Sequence, residues 1–299
     1  MTAATISPAR AWLLAARPRT LPAAVAPVIV GTALAIRDGG FALGPAIAAF
    51  IVALLLQIGA NFANDVFDFR RGADTHERLG PTRVTQSGLI AERQVFAATI
   101  LVIVLAAFAG LFLVVRGGLP ILILGIAAII ATLAYTGGPF PLGYNGLGEV
   151  FVLIFFGFVA VAGTYFVQTL RLTGTALGVA VPVGMLVTAI LVVNNLRDLE
   201  TDRRAGKRTL AVRFGRAGTQ VEYYMLIAIA YLAPPILWLV GGLGPWVMLT
   251  WLTLPIAARL VGQIRNDTGR ALNKTLAGTA QLELFFSALL AVGIVLSGF

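Results

Sequence analysis

Long apolar stretches recur along almost the whole chain, and they constrain the fold more than any other feature. A helix that spans a bilayer needs about 20 mostly apolar residues. By this rule the 299-residue sequence predicts about nine spans, at residues 20–36, 43–63, 95–115, 119–135, 149–168, 176–195, 221–240, 244–262 and 277–298. Only 12% of the residues are charged, whereas soluble domains average about 25%. The chain is therefore predicted to be a polytopic membrane protein.

Backbone N–H and C=O groups inside a bilayer must find partners within the protein, which a helix provides by itself. The pattern thus predicts an all-α fold with about nine transmembrane helices. We expect residues 1–299 to form a single integral membrane domain, with longer loops at about 64–94, 136–148, 196–220 and 263–276. The first span lacks a persuasive cleavage site, so we expect it to be retained rather than removed as a signal peptide.

Lysine and arginine are distributed unevenly between the two sets of loops. The short loops hold only Arg37, Arg116 and Arg171, whereas the other nineteen of the 22 basic residues precede the first span or lie in or beside the longer loops. Basic loops stay in the cytoplasm, so we expect a cell-membrane protein with a cytoplasmic N-terminus, cytoplasmic long loops and an external C-terminus. The net charge of +9 then reflects orientation rather than nucleic-acid binding. The absence of cysteine excludes disulfides, thiolate catalysis and cysteine-ligated metals.

A polar stripe interrupts the end of the second predicted span. Asn61, Asn64, Asp65 and Asp68 follow the i, i+3, i+4, i+7 spacing, which places side chains on one face of a helix. One such cluster is an ordinary feature of a solvated helix end, where nearby arginines neutralise the carboxylates. It gains weight only if a partner cluster exists elsewhere in the chain.

That partner follows the sixth predicted span. Asn194, Asp198 and Asp202 recur every four residues and share a helix face by the same rule. Two such clusters packed together would repel each other without a compensating cation. Carboxylate and amide oxygens bind hard cations, and Mg²⁺ usually takes one or two protein carboxylates together with water and phosphate oxygens. The two clusters therefore favour a Mg²⁺ site.

Basic residues beside both clusters indicate what accompanies that cation. They suit an anion with several negative charges, and they comprise Arg70, Arg71, Arg83, Arg203, Arg204, Lys207 and Arg208. A polyprenyl diphosphate is such an anion, and its isoprenoid tail belongs among apolar helices. The carboxylates crowd one membrane face, which favours an enzyme. A transporter, whose charged sites tend to lie near the bilayer midplane, is the alternative from another class.

The two clusters and their neighbours resemble the aspartate-rich motifs of the UbiA-type intramembrane aromatic prenyltransferases. The matching residues are Asn64–Asp68 with Asp74 in the first motif, and Asp198–Asp202 with Lys207 and Arg208 in the second. Within that superfamily the chain looks most like the 1,4-dihydroxy-2-naphthoate polyprenyltransferases of menaquinone biosynthesis. The segments that carry this closer likeness are Arg17–Pro22, Gly72–Asp74, Gly80–Arg83, Tyr135–Gly138, Gly143–Glu149 and Asn194–Gly215.

The resemblance implies a fold and a reaction. The helices would surround a central cavity that opens to the cytoplasmic side and to the lipid. The prenyl chain of an allylic polyprenyl diphosphate would pass to 1,4-dihydroxy-2-naphthoate, with release of diphosphate and CO₂, to give demethylmenaquinone. Another acceptor, such as 4-hydroxybenzoate, homogentisate or the chlorophyll ring, is the alternative within the superfamily. The lipid bilayer is the expected surrounding, and neither nucleic acid nor an obligate protein partner is expected.

The resemblance also implies roles for individual residues. The expected Mg²⁺ ligands are Asn64, Asp65, Asp68, Asp74, Asp198 and Asp202, with Asp65 and Asp74 either binding the ion or supporting its ligands. The expected diphosphate-binding residues are Arg71, Arg83, Lys207 and Arg208, and the expected catalytic residues are Asp68, Asp198, Lys207 and Arg208. The acceptor is expected to contact Tyr135, Glu149, Asn194 and Asn195.

Overall fold

The computed structural model describes residues 6–73 and 79–298, and every regular element within these ranges is a helix. The α-helices, in chain order, are α1 (Pro8–Ala16), α2 (Pro22–Arg37), α3 (Leu43–Arg70), α4 (Glu92–Gly117), α5 (Leu119–Ala134), α6 (Gly148–Val152), α7 (Ala160–Thr169), α8 (Gly174–Arg197), α9 (Leu199–Arg204), α10 (Leu210–Leu239), α11 (Leu254–Asn266) and α12 (Leu272–Leu296). Short 3₁₀ segments lie at Pro18–Thr20, Gly143–Asn145, Pro245–Thr253 and Gly269–Ala271, and a π-helical segment, Leu153–Val159, joins α6 to α7. The all-helical prediction is confirmed for the described residues.

The apolar helices have the lengths that a bilayer demands. Seven helices or continuous helical stretches of the described chain are long and apolar enough to cross a membrane, and α1 with α2 forms an eighth candidate with a bend of 50°. α5 is equally apolar but has only 16 residues. The polytopic membrane class is therefore confirmed, whereas the count of nine spans stays a prediction.

Several helices extend beyond the predicted boundaries, at the end of the bundle that carries the acidic clusters. α3 continues to Arg70 instead of ending at residue 63, while α9 and the start of α10 lie within the predicted loop 196–220. Gly215 interrupts α10 with φ +67°, a conformation that glycine adopts without steric cost. Polar residues of the predicted loop 196–220 thus lie on α9 and on the start of α10.

The described residues form three packed apolar regions. The largest involves α2, α7, α8, α10 and α12 and buries Tyr223, Phe286 and Leu290. The second joins α1 to α3 and α4, where the rings of Trp12 and Phe62 meet edge to face with centroids 5.7 Å apart. The third joins α2, α3, α4, α5 and α7 around Val28, Leu113 and Val167. Without water inside a bilayer, close packing and small residues hold such helices together.

A pair of glycines lets the π-helical segment approach α8. A Cβ atom built on Gly157 would lie 2.9 Å from the Cα atom of Gly184. We expect Gly157→Ala to lower the free energy of unfolding by roughly 1–3 kcal/mol because the contact becomes overpacked. Gly163→Ala, on α7 with open space around the position, is the matched control. Thermal unfolding of the purified protein in detergent measures both, and equal unfolding temperatures would contradict the close contact.

Candidate functional site

The C-terminal ends of α3, α5 and α8 meet at one end of a cavity of about 550 Å³. The body of this cavity is lined by apolar side chains of α2, α4, α5 and the α6–α7 stretch, such as Val28, Leu124 and Phe155. Its mouth is polar and is lined by Asn64, Asp68, Arg83, Asp198, Asp202 and Lys207, among others. The cavity therefore combines a charged mouth with an apolar body, as a lipid with a charged head group requires.

Asp68 is held by three groups from distant parts of the chain. Arg83 Nη2 donates to its Oδ2 at 2.6 Å, and the Tyr144 hydroxyl donates to its Oδ1 at 2.7 Å. Lys207 Nζ lies 3.7 Å from the same Oδ1. The side chains of Asp68 and Arg83 are only 4% and 5% exposed. Such burial of a charged pair is tolerated because each member compensates the other.

Asp198 forms a fork-like pair with the preceding arginine. Arg197 Nε and Nη2 donate to the two carboxylate oxygens at 2.8 and 2.5 Å. The same guanidinium donates to Asn194 Oδ1 at 2.9 Å and to Asn273 Oδ1 at 3.0 Å, while Asn273 Nδ2 donates to the Leu79 carbonyl at 2.9 Å. Arg197 thus joins α8, the start of α12 and the segment after the first acidic cluster.

Asp202 lies on α9 and faces Lys207, whose Nζ is 3.2 Å from Asp202 Oδ1. Burial raises the pKa of the Asp202 carboxyl; the Lys207 ammonium opposes the rise, and the negative charges of Asp198 and Asp68 add to it. Lys207 Nζ also lies over the Tyr144 ring at 4.6 Å, a favourable cation–π distance. The ammonium is therefore fixed between two carboxylates and an aromatic face.

Among the described residues, three carboxylates lie at the mouth, and each has a cation of the protein beside it. The pairs are Asp68 with Arg83, Asp198 with Arg197, and Asp202 with Lys207. Within residues 6–73 and 79–298, no three acidic or histidine side chains converge into a ready-made metal site. The donors are nevertheless hard oxygens that line one cavity, and this set fits Mg²⁺ if substrate phosphate oxygens supply the remaining ligands.

The structure brings most of the predicted site residues together. Those that line the cavity are Asn64, Asp68, Arg83, Tyr135, Asn194, Asn195, Asp198, Asp202 and Lys207. Asn64 Oδ1 accepts a hydrogen bond from the Thr136 hydroxyl at 2.9 Å. Asp74 lies outside the described residues.

Asp65, predicted to share a polar face with Asp68, has a different environment. Its two oxygens accept hydrogen bonds from the backbone N–H groups of Val84 and Thr85 at 3.1 and 3.0 Å, and it is not among the described residues that line the cavity. The side chain therefore anchors the turn that follows Arg83. By fixing this turn, Asp65 orients the Arg83 guanidinium toward Asp68.

Three other predicted residues also lie outside the cavity wall. Arg71 donates to the Gly138 carbonyl. Arg208 is exposed, and its backbone N–H donates to the Tyr144 carbonyl at 2.7 Å. Glu149 is buried and accepts a hydrogen bond from Asn195 Nδ2 at 2.8 Å. Arg71 and Arg208 thus lie around the mouth, and Glu149 lies behind the wall.

Four residues of the site were not predicted from the sequence as functional residues. Tyr144 and Arg197 contact the acidic residues, while Arg17 and Arg19 line the mouth of the cavity. All four lie inside segments that carry the resemblance described above, so position within the motifs was the available signal. Nothing in the residue types separates them from their neighbours.

Known proteins share both the sequence and the fold. The model of the family described as "UbiA prenyltransferase family" matches residues 24–289. A protein named 1,4-dihydroxy-2-naphthoate octaprenyltransferase from Mycobacterium tuberculosis is 42% identical and aligns over 86% of this chain and 87% of its own. A protein of the same name from Escherichia coli is 38% identical, over 99% of each chain. The solved structure of a UbiA homolog from Archaeoglobus fulgidus, bound to GPP and Mg²⁺, superposes with a TM-score of 0.71 at 15% identity, over 95% of this chain and 99% of that chain.

Proposed function

Because the chain belongs to the UbiA prenyltransferase family, we propose that it transfers a polyprenyl chain from an allylic polyprenyl diphosphate to 1,4-dihydroxy-2-naphthoate. Diphosphate and CO₂ leave, and the product is demethylmenaquinol, the reduced form of demethylmenaquinone. The observation that carries the proposal is the cavity itself, in which a mouth of paired carboxylates and cations opens onto an apolar body. The proposed acceptor is the one in the names of the curated relatives.

The mouth of the cavity would bind the diphosphate together with Mg²⁺. Asn64, Asp68, Asp198 and Asp202 would hold the ion, and Asp74 is proposed as a further ligand or support. Bound there, Mg²⁺ would neutralise charge on the diphosphate and so ease its departure. The donor set supports this assignment, since all four described residues present oxygen atoms in one cavity.

The cations of the protein act on the same leaving group. Lys207 and Arg83 lie beside Asp68, where fixed positive charge stabilises the negative charge that grows on the departing diphosphate. Arg71 and Arg208 lie around the mouth and are proposed as outer diphosphate contacts. As the C–O bond to the diphosphate breaks, the prenyl carbon becomes cationic, and the apolar body of the cavity shields it from water.

The acceptor ring completes the reaction. A carbon of the electron-rich naphthoate ring forms a new C–C bond to the prenyl carbon, and the ring carboxylate leaves as CO₂. Asn194, Asn195 and Tyr135 line the cavity beside the mouth and are proposed to contact the acceptor, with Glu149 supporting them from behind. We expect other aromatic acceptors to fit these polar groups less well.

We propose that the protein lies in the cell membrane and that the mouth of the cavity faces the cytoplasm. Residues 1–299 are proposed to form a single domain. Arg17 and Arg19, which precede the first predicted span, line this mouth, whereas Arg37 ends the helix that follows them. The majority of basic residues thus share one side with the site. This distribution supports a cytoplasmic N-terminus and an external C-terminus.

The test of the proposed function is product identification. Membranes that contain the protein are incubated with Mg²⁺, a polyprenyl diphosphate and either 1,4-dihydroxy-2-naphthoate or 4-hydroxybenzoate, and the lipids are analysed by mass. We expect a decarboxylated prenyl naphthoquinol from the naphthoate alone, and no product with the Asp198→Ala variant. Prenylation of 4-hydroxybenzoate instead would overturn the proposed acceptor, and no prenylation of either would overturn the reaction.

Tyr144→Phe should slow this reaction without preventing it. The variant loses the hydroxyl that donates to Asp68 at 2.7 Å, and a hydrogen bond to a charged group contributes about 1.5–3 kcal/mol. We expect kcat to fall roughly tenfold or more, measured at saturating concentrations of both substrates. Tyr224→Phe, on α10 and outside the cavity wall, is the control. An unchanged kcat for Tyr144→Phe would show that the hydroxyl does not position Asp68.

A further inference from the structure

Two consecutive asparagines near the end of α8, Asn194 and Asn195, both line the cavity. An asparagine amide carries one acceptor oxygen and one donor NH₂ group, and either can face a ligand. Which of them does so depends on the partner that holds the other. In this pair the two partners have opposite chemistry.

Asn195 is held by a carboxylate. Its Nδ2 donates to Glu149 Oε1 at 2.8 Å. This hydrogen bond directs the NH₂ group of Asn195 toward Glu149, because the nitrogen of an amide donates and its oxygen accepts. The carbonyl oxygen Oδ1 is then the atom that Asn195 can offer to the cavity.

Asn194 is held by a guanidinium. Its Oδ1 accepts from Arg197 Nη2 at 2.9 Å, and a guanidinium donates hydrogen bonds but accepts none. The carbonyl of Asn194 must therefore point toward Arg197, and the NH₂ group is left for the cavity. Arg197 is itself fixed, because it also donates to Asp198 and Asn273. The amide of Asn194 is thus fixed in the sense opposite to that of Asn195.

Glu149 does not line the cavity, and the hydrogen bond to Asn195 is its link to the cavity wall. The Glu149 side chain is buried, and among the described residues its Oε2 atom has no hydrogen-bond partner. Burial of a carboxyl group with so few partners costs free energy. The Glu149 carboxyl group nevertheless has a use, because an apolar or amide side chain at this position would not fix the Asn195 amide in one orientation.

We propose that Asn194 and Asn195 read two different groups of one hydroxy-aromatic carboxylate. Asn195 Oδ1 accepts a hydrogen bond from a ring hydroxyl, and Asn194 Nδ2 donates to the carboxylate. Glu149 and Arg197 are positioning residues, which act through these two amides. The inference rests on the proposed function for the class of acceptor, and it adds which residue recognises which group.

Three ligands separate the two contacts. The first is 1,4-dihydroxy-2-naphthoate. The second, 1-hydroxy-2-naphthoate, lacks the 4-hydroxyl, and the third, 1,4-dihydroxynaphthalene, lacks the carboxylate. Dissociation constants are measured by calorimetry on the purified full-length protein with Mg²⁺ and inorganic diphosphate present. Two ratios follow for each variant, namely the loss of affinity on removing the hydroxyl and the loss on removing the carboxylate.

Glu149→Gln keeps the shape of the side chain but can donate to Asn195 Oδ1, so that the Asn195 amide is free to turn. We expect the hydroxyl ratio to fall roughly tenfold in this variant, with the carboxylate ratio unchanged. Asn194→Ala should give the reverse pattern. Glu283→Gln is the matched control, because Glu283 is also buried but lies on α12 outside the cavity wall, and both ratios should match those of the unaltered protein.

The same measurements can overturn the inference. Parallel changes of both ratios in Glu149→Gln would indicate a merely loosened pocket, and unchanged ratios in both variants would show that these amides do not read the acceptor. If Asn194 instead contacts the diphosphate, Asn194→Ala will weaken binding of inorganic diphosphate and leave the carboxylate ratio unchanged, which also contradicts the assignment. Binding needs no turnover, so a protein that shows the expected ratios but forms no product would contradict the proposed function alone.

Discussion

Asp68→Asn is expected to lower kcat for prenyl transfer by roughly 10³-fold, comparable to the removal of a strong electrostatic contact in other enzymes. The carboxylate lies at the centre of the mouth, where Arg83, Tyr144 and Lys207 all approach it. Its loss removes a proposed Mg²⁺ ligand and releases the groups that it orients. Product formation under saturating substrate measures the effect.

The same substitution should also destabilise the protein, because it removes the carboxylate that lies 2.6 Å from the buried Arg83 guanidinium. Breaking one side of a buried ion pair costs about 3–5 kcal/mol, whereas replacing both members by neutral groups is often tolerated. The double variant Asp68→Asn with Arg83→Gln separates the two effects. We expect it to regain most of the unfolding temperature and none of the activity.

Glu200→Gln provides the control for charge alone. Glu200 lies on α9 between Asp198 and Asp202, but its side chain is 69% exposed and pairs with Arg203 in solvent. An exposed pair of this kind contributes about 0–1 kcal/mol, so activity and unfolding temperature should stay near those of the unaltered protein. Recovery of activity in the double variant of Asp68→Asn with Arg83→Gln would contradict the catalytic role of Asp68, because it would show that this carboxylate acts only by neutralising Arg83.

The membrane helices and the meeting of the two acidic clusters could be predicted from the sequence. Apolar length sets the helices because a bilayer leaves the backbone few alternatives. Asn64 and Asp68 on α3 and Asp198 and Asp202 beside α8 lie at helix ends at one end of the bundle, and the structure places all four around one cavity. Spacing along a helix predicted which residues of each cluster share a face, because each cluster is local, whereas the meeting of the two clusters was expected from the resemblance to the family's paired motifs.

Partners across long sequence separations could not be predicted in this way. Asp65 fits the helical spacing of the stripe, yet a turn 19 residues later, at Val84, provides its hydrogen bond. Tyr144 lies 76 residues from Asp68, whose oxygen it contacts. Periodicity fixes which side chains share a face, but contacts with another segment decide which of them reach the cavity.

The arginines of the second motif illustrate the same limit. Arg197 and Arg203 belong to the same acidic motif, but Arg197 is buried against Asp198, while Arg203 is exposed and pairs with Glu200. The position of an arginine within the motif does not show whether neighbouring helices will enclose it. The fold assigns the buried position to Arg197, because Asn273 of α12 packs against it.

Removal of divalent cations with EDTA is expected to reduce prenyl transfer to background while leaving the protein folded. Two paired acidic clusters would ordinarily repel each other in the absence of a metal. Here Arg83, Arg197 and Lys207 each lie beside one of the three carboxylates. Because these cations compensate the negative charge, the unfolding temperature in EDTA should stay close to that of the untreated protein.

The unfolding temperature should rise only when Mg²⁺ and inorganic diphosphate are added together, since neither alone completes the site. A ligand at 100 times its dissociation constant stabilises the folded state by about 2.7 kcal/mol. Lys207→Met tests the role of the protein's cations, because it removes the ammonium 3.2 Å from Asp202 and 3.7 Å from Asp68. We expect this variant to lose stability in EDTA and to regain it with Mg²⁺. A marked loss of stability of the unaltered protein in EDTA would instead mean that the metal, rather than the paired arginines and lysine, holds the two acidic clusters together.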